Sequence, residues 1–99
     1  MKKYIVVGNP IDHSLSPEIH NYWFKKNNIN ANYEKKLLNK EDIPKIISQL
    51  KNNKLNGINV TVPFKNDFIS YVDELSDEAR QTNSVNTIYK IENKLIGHN

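Results

Sequence analysis

The sequence predicts an α/β domain: an open, mostly parallel mixed sheet flanked by helices and closed by a C-terminal hairpin. Three observations carry this. Lys3 to Val7 is a short apolar run of the kind buried in parallel sheets. Asp42 to Lys51 places Ile43, Ile46, Ile47 and Leu50 at i, i+3, i+4 and i+7, the template of an amphipathic helix. Leu55 to Val62 is a strand, with Gly57 near its start and β-branched Ile58, Val60, Thr61 and Val62 within it. Strands alternating with helices return through crossovers, which gives an open sheet with helices on both faces.

After the first strand, Gly8-Asn9-Pro10 makes a turn. Ser16-Pro17-Glu18 then supplies a helix cap, a proline suited to the first helical position and an acid in the first turn. This helix runs to about Asn27, with Ile19, Tyr22 and Trp23 on one face, and Asn32 to Leu38 is a second strand. Pro63 stops the third strand but suits the start of a helix, where its missing N–H costs nothing. A short helix is therefore expected through Phe68 and Ile69, with Lys65 in its first turn. Asp73 to Gln81 reads as another short helix, with Asp73 as its cap. Val85 to Ile91 and Lys94 to Ile96 read as strands joined by a tight turn at Glu92-Asn93, a hairpin at the sheet edge. No repeat, low-complexity segment or linker interrupts the chain.

Composition excludes several classes. Ninety-nine residues suffice for one small domain with one core. Fourteen basic and eleven acidic residues give a net charge of +3. The lysines come as dispersed pairs (Lys2-Lys3, Lys25-Lys26, Lys35-Lys36) while Asp73, Glu74, Asp77 and Glu78 cluster elsewhere. With no basic stripe interleaved with aromatics, a nucleic-acid partner is not expected. There is no cysteine, hence no disulfide framework and no thiolate chemistry. His13, His20 and His98 lack the spacing of a metal site, so no metal is expected. The opening Met-Lys-Lys-Tyr-Ile-Val-Val is too short for a signal-peptide core or a membrane span. It reads as a first strand at the N-terminus, with a cytoplasmic location and no membrane partner as the expectation.

Open α/β sheets bind ligands outside the carboxyl ends of their parallel strands. Ser14 and Ser16 follow the first strand and Thr61 and Lys65 follow the third, so the two pairs converge on one edge. Two hydroxyls beside a helix N-terminus make a cradle for a carboxylate, since oriented N–H groups and the helix dipole both favour an anion. Ser16 has a structural alternative as the helix cap, and Thr61 as a plain strand residue or cap. Asn86 either stabilises its own turn or offers donors and an acceptor to a diol. In a helix's first turn the macrodipole disfavours a cation by about 0.3–1 kcal/mol. Lys65 would then be a lysine whose pKa is pushed down by dipole and partial burial, apt for acid/base work, or simply a solvated lysine.

Four motifs occur in order along the chain: Gly8-Asn9-Pro10-Ile11-Asp12-His13-Ser14-Leu15-Ser16-Pro17, Asn59-Val60-Thr61-Val62-Pro63-Phe64-Lys65, Asn83-Ser84-Val85-Asn86-Thr87 and Gly97-His98-Asn99. Together they resemble the substrate-binding domain of shikimate dehydrogenase, the NADP-dependent enzyme of aromatic amino acid biosynthesis, over essentially the whole chain. The resemblance implies that residues 1–99 form the shikimate-binding, catalytic N-terminal domain. It assigns Ser14 and Ser16 to the substrate carboxylate, Thr61 and Asn86 to substrate contact, Asn59 to their support and Lys65 to acid/base catalysis. The substrates it implies are shikimate and 3-dehydroshikimate. Asp77 matches a position that approaches the nucleotide in some members, although an exposed helix residue explains it more simply. In the family a catalytic aspartate follows a Gly-x-Asn-Thr segment, whereas here the chain stops at Gly97-His98-Asn99, without the Thr and the Asp. The family's Rossmann-type NADP domain lies beyond that point, and no Gly-x-Gly-x-x-Gly fingerprint occurs in this chain. The isolated chain is thus expected to be inactive. A quinate-accepting relative and a stand-alone, non-catalytic shikimate-binding module remain the alternatives.

Overall fold

A computed structural model describes residues 1–99. Strands β1 (Lys2–Gly8), β2 (Ala31–Leu37), β3 (Gly57–Val60), β4 (Glu74–Leu75), β5 (Thr87–Ile91) and β6 (Lys94–His98) form one six-stranded sheet in the order β2-β1-β3-β5-β6-β4. β1 runs parallel to both β2 and β3, and β4 runs parallel to β6. β5 is antiparallel to its neighbours β3 and β6. The helices are α1 (Ser16–Lys26), α2 (Ile43–Lys51) and α3 (Asp77–Thr82).

The pleat of β1 divides the apolar side chains between two faces. Ile5 and Val7 join a core of 16 buried residues that includes Ile43, Ile46, Ile47 and Leu50 of α2 and Ala79 of α3. Val6 points the other way, into a cluster of three with Ile11 and Tyr33, backed by Tyr4 and Phe24. The predicted α2 stripe is thus the buried one, each of its aliphatic side chains contributing about 1.5–3 kcal/mol by leaving water.

α1 is seated differently, with none of its residues buried. The expected Ile19, Tyr22 and Trp23 face is exposed, and Lys26 Nζ lies over the Trp23 ring at 5.1 Å. The face that meets the sheet carries His20, Asn21 and Phe24. The Asn21 side chain accepts the Tyr33 N–H and donates to the Tyr33 carbonyl, both at 2.8 Å, and His20 stacks on the Tyr33 ring at 4.4 Å.

Several expected boundaries change. The third strand is confined to Gly57–Val60, and no helix follows Pro63. Residues 61–68 run as successive turns closed by i→i+3 hydrogen bonds, Phe64 N–H to Thr61 and Asp67 N–H to Phe64, before a single 3₁₀ turn at Ile69–Tyr71. Phe64 and Phe68 are what this segment buries. Pro63 also disfavours the α conformation of the residue before it. Lys65 therefore sits in a turn, and the helix-dipole reasoning does not apply to it. Asp73 is not a cap: its carboxylate accepts the Leu95 N–H at 2.8 Å, and Glu74–Leu75 form a short strand. α3 begins later, capped by Ser76, whose Oγ accepts the Ala79 N–H at 3.1 Å. That strand β4 covers the hairpin, so β6 is not the sheet edge. Ser16 is the first residue of α1, not its cap, and Ser14 Oγ accepts the Ser16 N–H at 3.3 Å.

Candidate ligand site at the carboxyl edge of the sheet

Topology brings four segments to one edge. β1 and β3 are parallel, so the segments holding Ser14, Ser16, Thr61 and Lys65 leave the sheet at the same end. β5 is antiparallel to β3 and begins where β3 ends, which places Asn86 there too, with Val60 N–H donating to its carbonyl at 2.8 Å. The loops are stitched together: Thr61 N–H bonds the Val7 carbonyl at 2.9 Å and Asn9 N–H the Val62 carbonyl at 3.1 Å. Gly8 permits this approach, since a methyl group at that position would collide with the Thr61 Cγ2 atom.

Ser14, Ser16 and Thr61 line one depression of about 280 Å³, together with Ile11 and His13. Ser14 Oγ accepts a backbone N–H, which leaves its own proton free for an anion. Lys65 borders an adjacent depression of about 290 Å³, across the Val62-Pro63 turn and facing Thr82, Asn83 and Ser84. Its backbone is fixed by a Val85 N–H donating to its carbonyl at 2.8 Å. The three ion pairs of the chain, Lys40–Asp67, Arg80–Asp77 and Lys94–Glu74, leave the Lys65 ammonium unpaired. Asn86 lines neither depression; it lies beside Asn59 and Thr87 at the start of β5. A larger hollow of about 510 Å³ lies toward the amino end of β1, around Met1, Lys3 and Leu55, and holds none of the sequence-predicted residues.

Sequence reading misses Tyr33, whose hydroxyl donates to Asn59 Oδ1 at 2.6 Å from within a 3 % exposed side chain. Burial pushes its phenol above the usual value, and the neighbouring Ser16 side chain counteracts this in part. It sits in the polar run Asn32-Tyr33-Glu34-Lys35-Lys36, where nothing local marks it as buried. Asn99 closes the last of the four motifs without a role assigned to it; its side-chain amide donates to Thr82 Oγ1 at 2.9 Å and Ser84 Oγ at 3.0 Å, two residues that line the Lys65 hollow.

No glycine-rich turn leads from a strand into a helix. Gly97 lies inside β6, where a methyl would meet Val85 Cγ1 at 2.8 Å. Asp77, on α3, is exposed and pairs only with Arg80 at 3.9 Å. These residues build no cradle for a dinucleotide pyrophosphate. No group of histidines and carboxylates is placed to hold a metal. No helix is long and apolar enough to cross a membrane.

The fold and the convergent polar edge define an open α/β domain with a polar hollow at the carboxyl ends of its parallel strands. The family model described as shikimate dehydrogenase substrate binding domain matches residues 6–88, and the chain belongs to that family. It is 55% identical over 98 residues, 99% of its length, to shikimate dehydrogenase (NADP(+)) from Pelagibacter ubique strain HTCC1062. The crystal structure of shikimate dehydrogenase 1 from Peptoclostridium difficile superposes on the whole chain with a TM-score of 0.91 at 40% identity, the chain covering 37% of it. Shikimate 5-dehydrogenase from Thermus thermophilus, solved in complex with shikimate, superposes with a TM-score of 0.92 at 30% identity, the chain covering 38% of it. The chain spans about 37% of the length of the curated relatives it matches.

Proposed function

We propose that this domain binds shikimate and 3-dehydroshikimate as the substrate half of an NADP-dependent shikimate dehydrogenase. The observation that carries the reading is the grouping of Ser14, Ser16 and Thr61 around one depression, with Lys65, unpaired, across the next turn. The Thermus thermophilus relative was solved with shikimate bound, which supports the same ligand here. In this reading Ser14 and Ser16 take the carboxylate, Thr61 and Asn86 take ring hydroxyls, and Lys65 exchanges a proton with the oxygen on the carbon that is oxidised. The NADP named for the relatives has its cradle outside these residues, and Asp77 is at most a peripheral contact to it. A cytoplasmic setting and the absence of nucleic-acid and membrane partners belong to the same proposal.

Titrating the 99-residue chain with shikimate while following amide NMR shifts tests the reading. The expected result is movement concentrated at Ser14, Ser16, Thr61, Lys65 and Asn86; movement elsewhere would overturn the assignment. Shikimate-dependent NADP reduction by this chain alone is expected to be undetectable, since positioning the reactants supplies about 7–11 kcal/mol of such a barrier. Measurable reduction would mean that these residues hold the nucleotide after all.

A further inference from the structure

We propose that Tyr33 and Asn59 are positioning residues that turn the Asn86 side chain so that its amino end, a hydrogen-bond donor, faces the ligand, and that this makes the site select a hydroxyl-bearing ring. The proposal rests on the reading of this edge as a shikimate pocket.

The relay starts from a group that can act in only one way. Asn59 Nδ2 lies 3.3 Å from the Asn86 backbone carbonyl, which can only accept. That contact sets the Asn59 amide, so its Oδ1 end faces Tyr33, and the phenol gives it its one proton at 2.6 Å. The same Nδ2 also donates to Thr87 Oγ1 at 3.1 Å. Having accepted there, Thr87 donates its own proton to Asn86 Oδ1, again at 3.1 Å. The carbonyl end of Asn86 is thereby held by the protein, and the free end is the NH₂. A free NH₂ at this edge suits a ligand oxygen with lone pairs, a hydroxyl or a carbonyl, and disfavours a ligand that can only donate. Neither end of the relay is a surface accident: Tyr33 is 3 % exposed and Asn59 and Thr87 face each other directly across β3 and β5.

The test uses the 99-residue chain, its Tyr33→Phe and Thr87→Val variants, and two probes: shikimate, and cyclohex-1-ene-1-carboxylate, which keeps the ring and carboxylate but has no hydroxyl. Both substitutions keep side-chain shape while removing one hydroxyl each. The unsubstituted chain is expected to prefer shikimate, and either variant to reduce that preference roughly 3–10-fold, the worth of one ordinary hydrogen bond. A merely structural role would weaken both probes by the same factor; an unchanged preference in variants with native-like spectra overturns the proposal. If the unsubstituted chain binds neither probe, the shikimate reading itself fails. The relay is then judged on ligand-free spectra: Asn86 side-chain NH₂ signals that shift in both variants uphold it, and signals that stay in place overturn it.

Discussion

The two faces of this sheet are built on different principles. One buries a continuous core of 16 residues, with four aliphatic side chains from α2 alone. The other gathers a cluster of only three and seats α1 on hydrogen bonds and ring stacking. The serines of the candidate site belong to the polar face, and Thr61 and Lys65 leave a strand anchored in the apolar one. Apolar burial is non-directional and supplies stability, whereas the Asn21 and Tyr33 contacts are directional and fix where α1, and hence Ser14 and Ser16, stand. The comparison assigns stability to one face and precision to the other.

The sharpest way to separate the two is to disable the site without touching the core. In a full-length enzyme carrying this domain, Lys65→Ala is expected to lower kcat roughly 10²–10⁴-fold, the usual range for a lost acid/base group, with little change in KM. Steady-state kinetics with a thermal melt check this, the melt staying put. Normal turnover with weakened shikimate binding would make Lys65 a binding residue only. The converse experiment is Phe68→Ala, which empties a fully buried position and should destabilise by about 3–5 kcal/mol in denaturant unfolding. A smaller loss there would mean that the turn segment collapses into the cavity.

Asn21→Ala attacks the polar face. It should cost roughly 1–3 kcal/mol by stripping the Tyr33 N–H and C=O of their partner, and speed hydrogen exchange at that amide. Were it neutral, α1 would be held by packing after all. The smallest effect concerns alkaline pH. Burial raises the Tyr33 pKa above the ordinary phenol value of 10.0, so the folded state prefers the neutral phenol. The stability this gives is complete below about pH 10 and is lost as pH rises through the folded-state pKa. Tyr33→Phe should therefore unfold less steeply with pH in that alkaline range; an identical slope in both proteins would refute the assignment.

Most of the architecture is legible because its signals are local. The α2 stripe is periodic, the β3 run is β-branched, and Glu92-Asn93 is indeed a tight turn, with Glu92 at φ 55°. The failures share a cause. The segment after Pro63 reads as helical by its proline, yet burial of Phe64 and Phe68 is met by turns. Asp73 reads as a cap, yet its partner is Leu95, 22 residues away, which no local pattern announces. Within the site, Ser14, Ser16 and Thr61 are readable from strand ends, since topology alone brings them together. Tyr33 and Thr87 are not, because their importance arises only when β2, β3 and β5 take their places in one sheet.

The Asn21 clamp has a consequence for how the molecule behaves in a crowded solution. An open sheet has two edges, and each is a template on which another chain can add a strand. At one edge this protein offers only the two-residue β4. At the other, the seven-residue β2 is long enough to recruit a partner strand, but near its middle a side-chain amide from α1 occupies the N–H and C=O of Tyr33. The residue that seats the serine helix thus also takes up the two backbone groups that an added strand would need at that point of the edge.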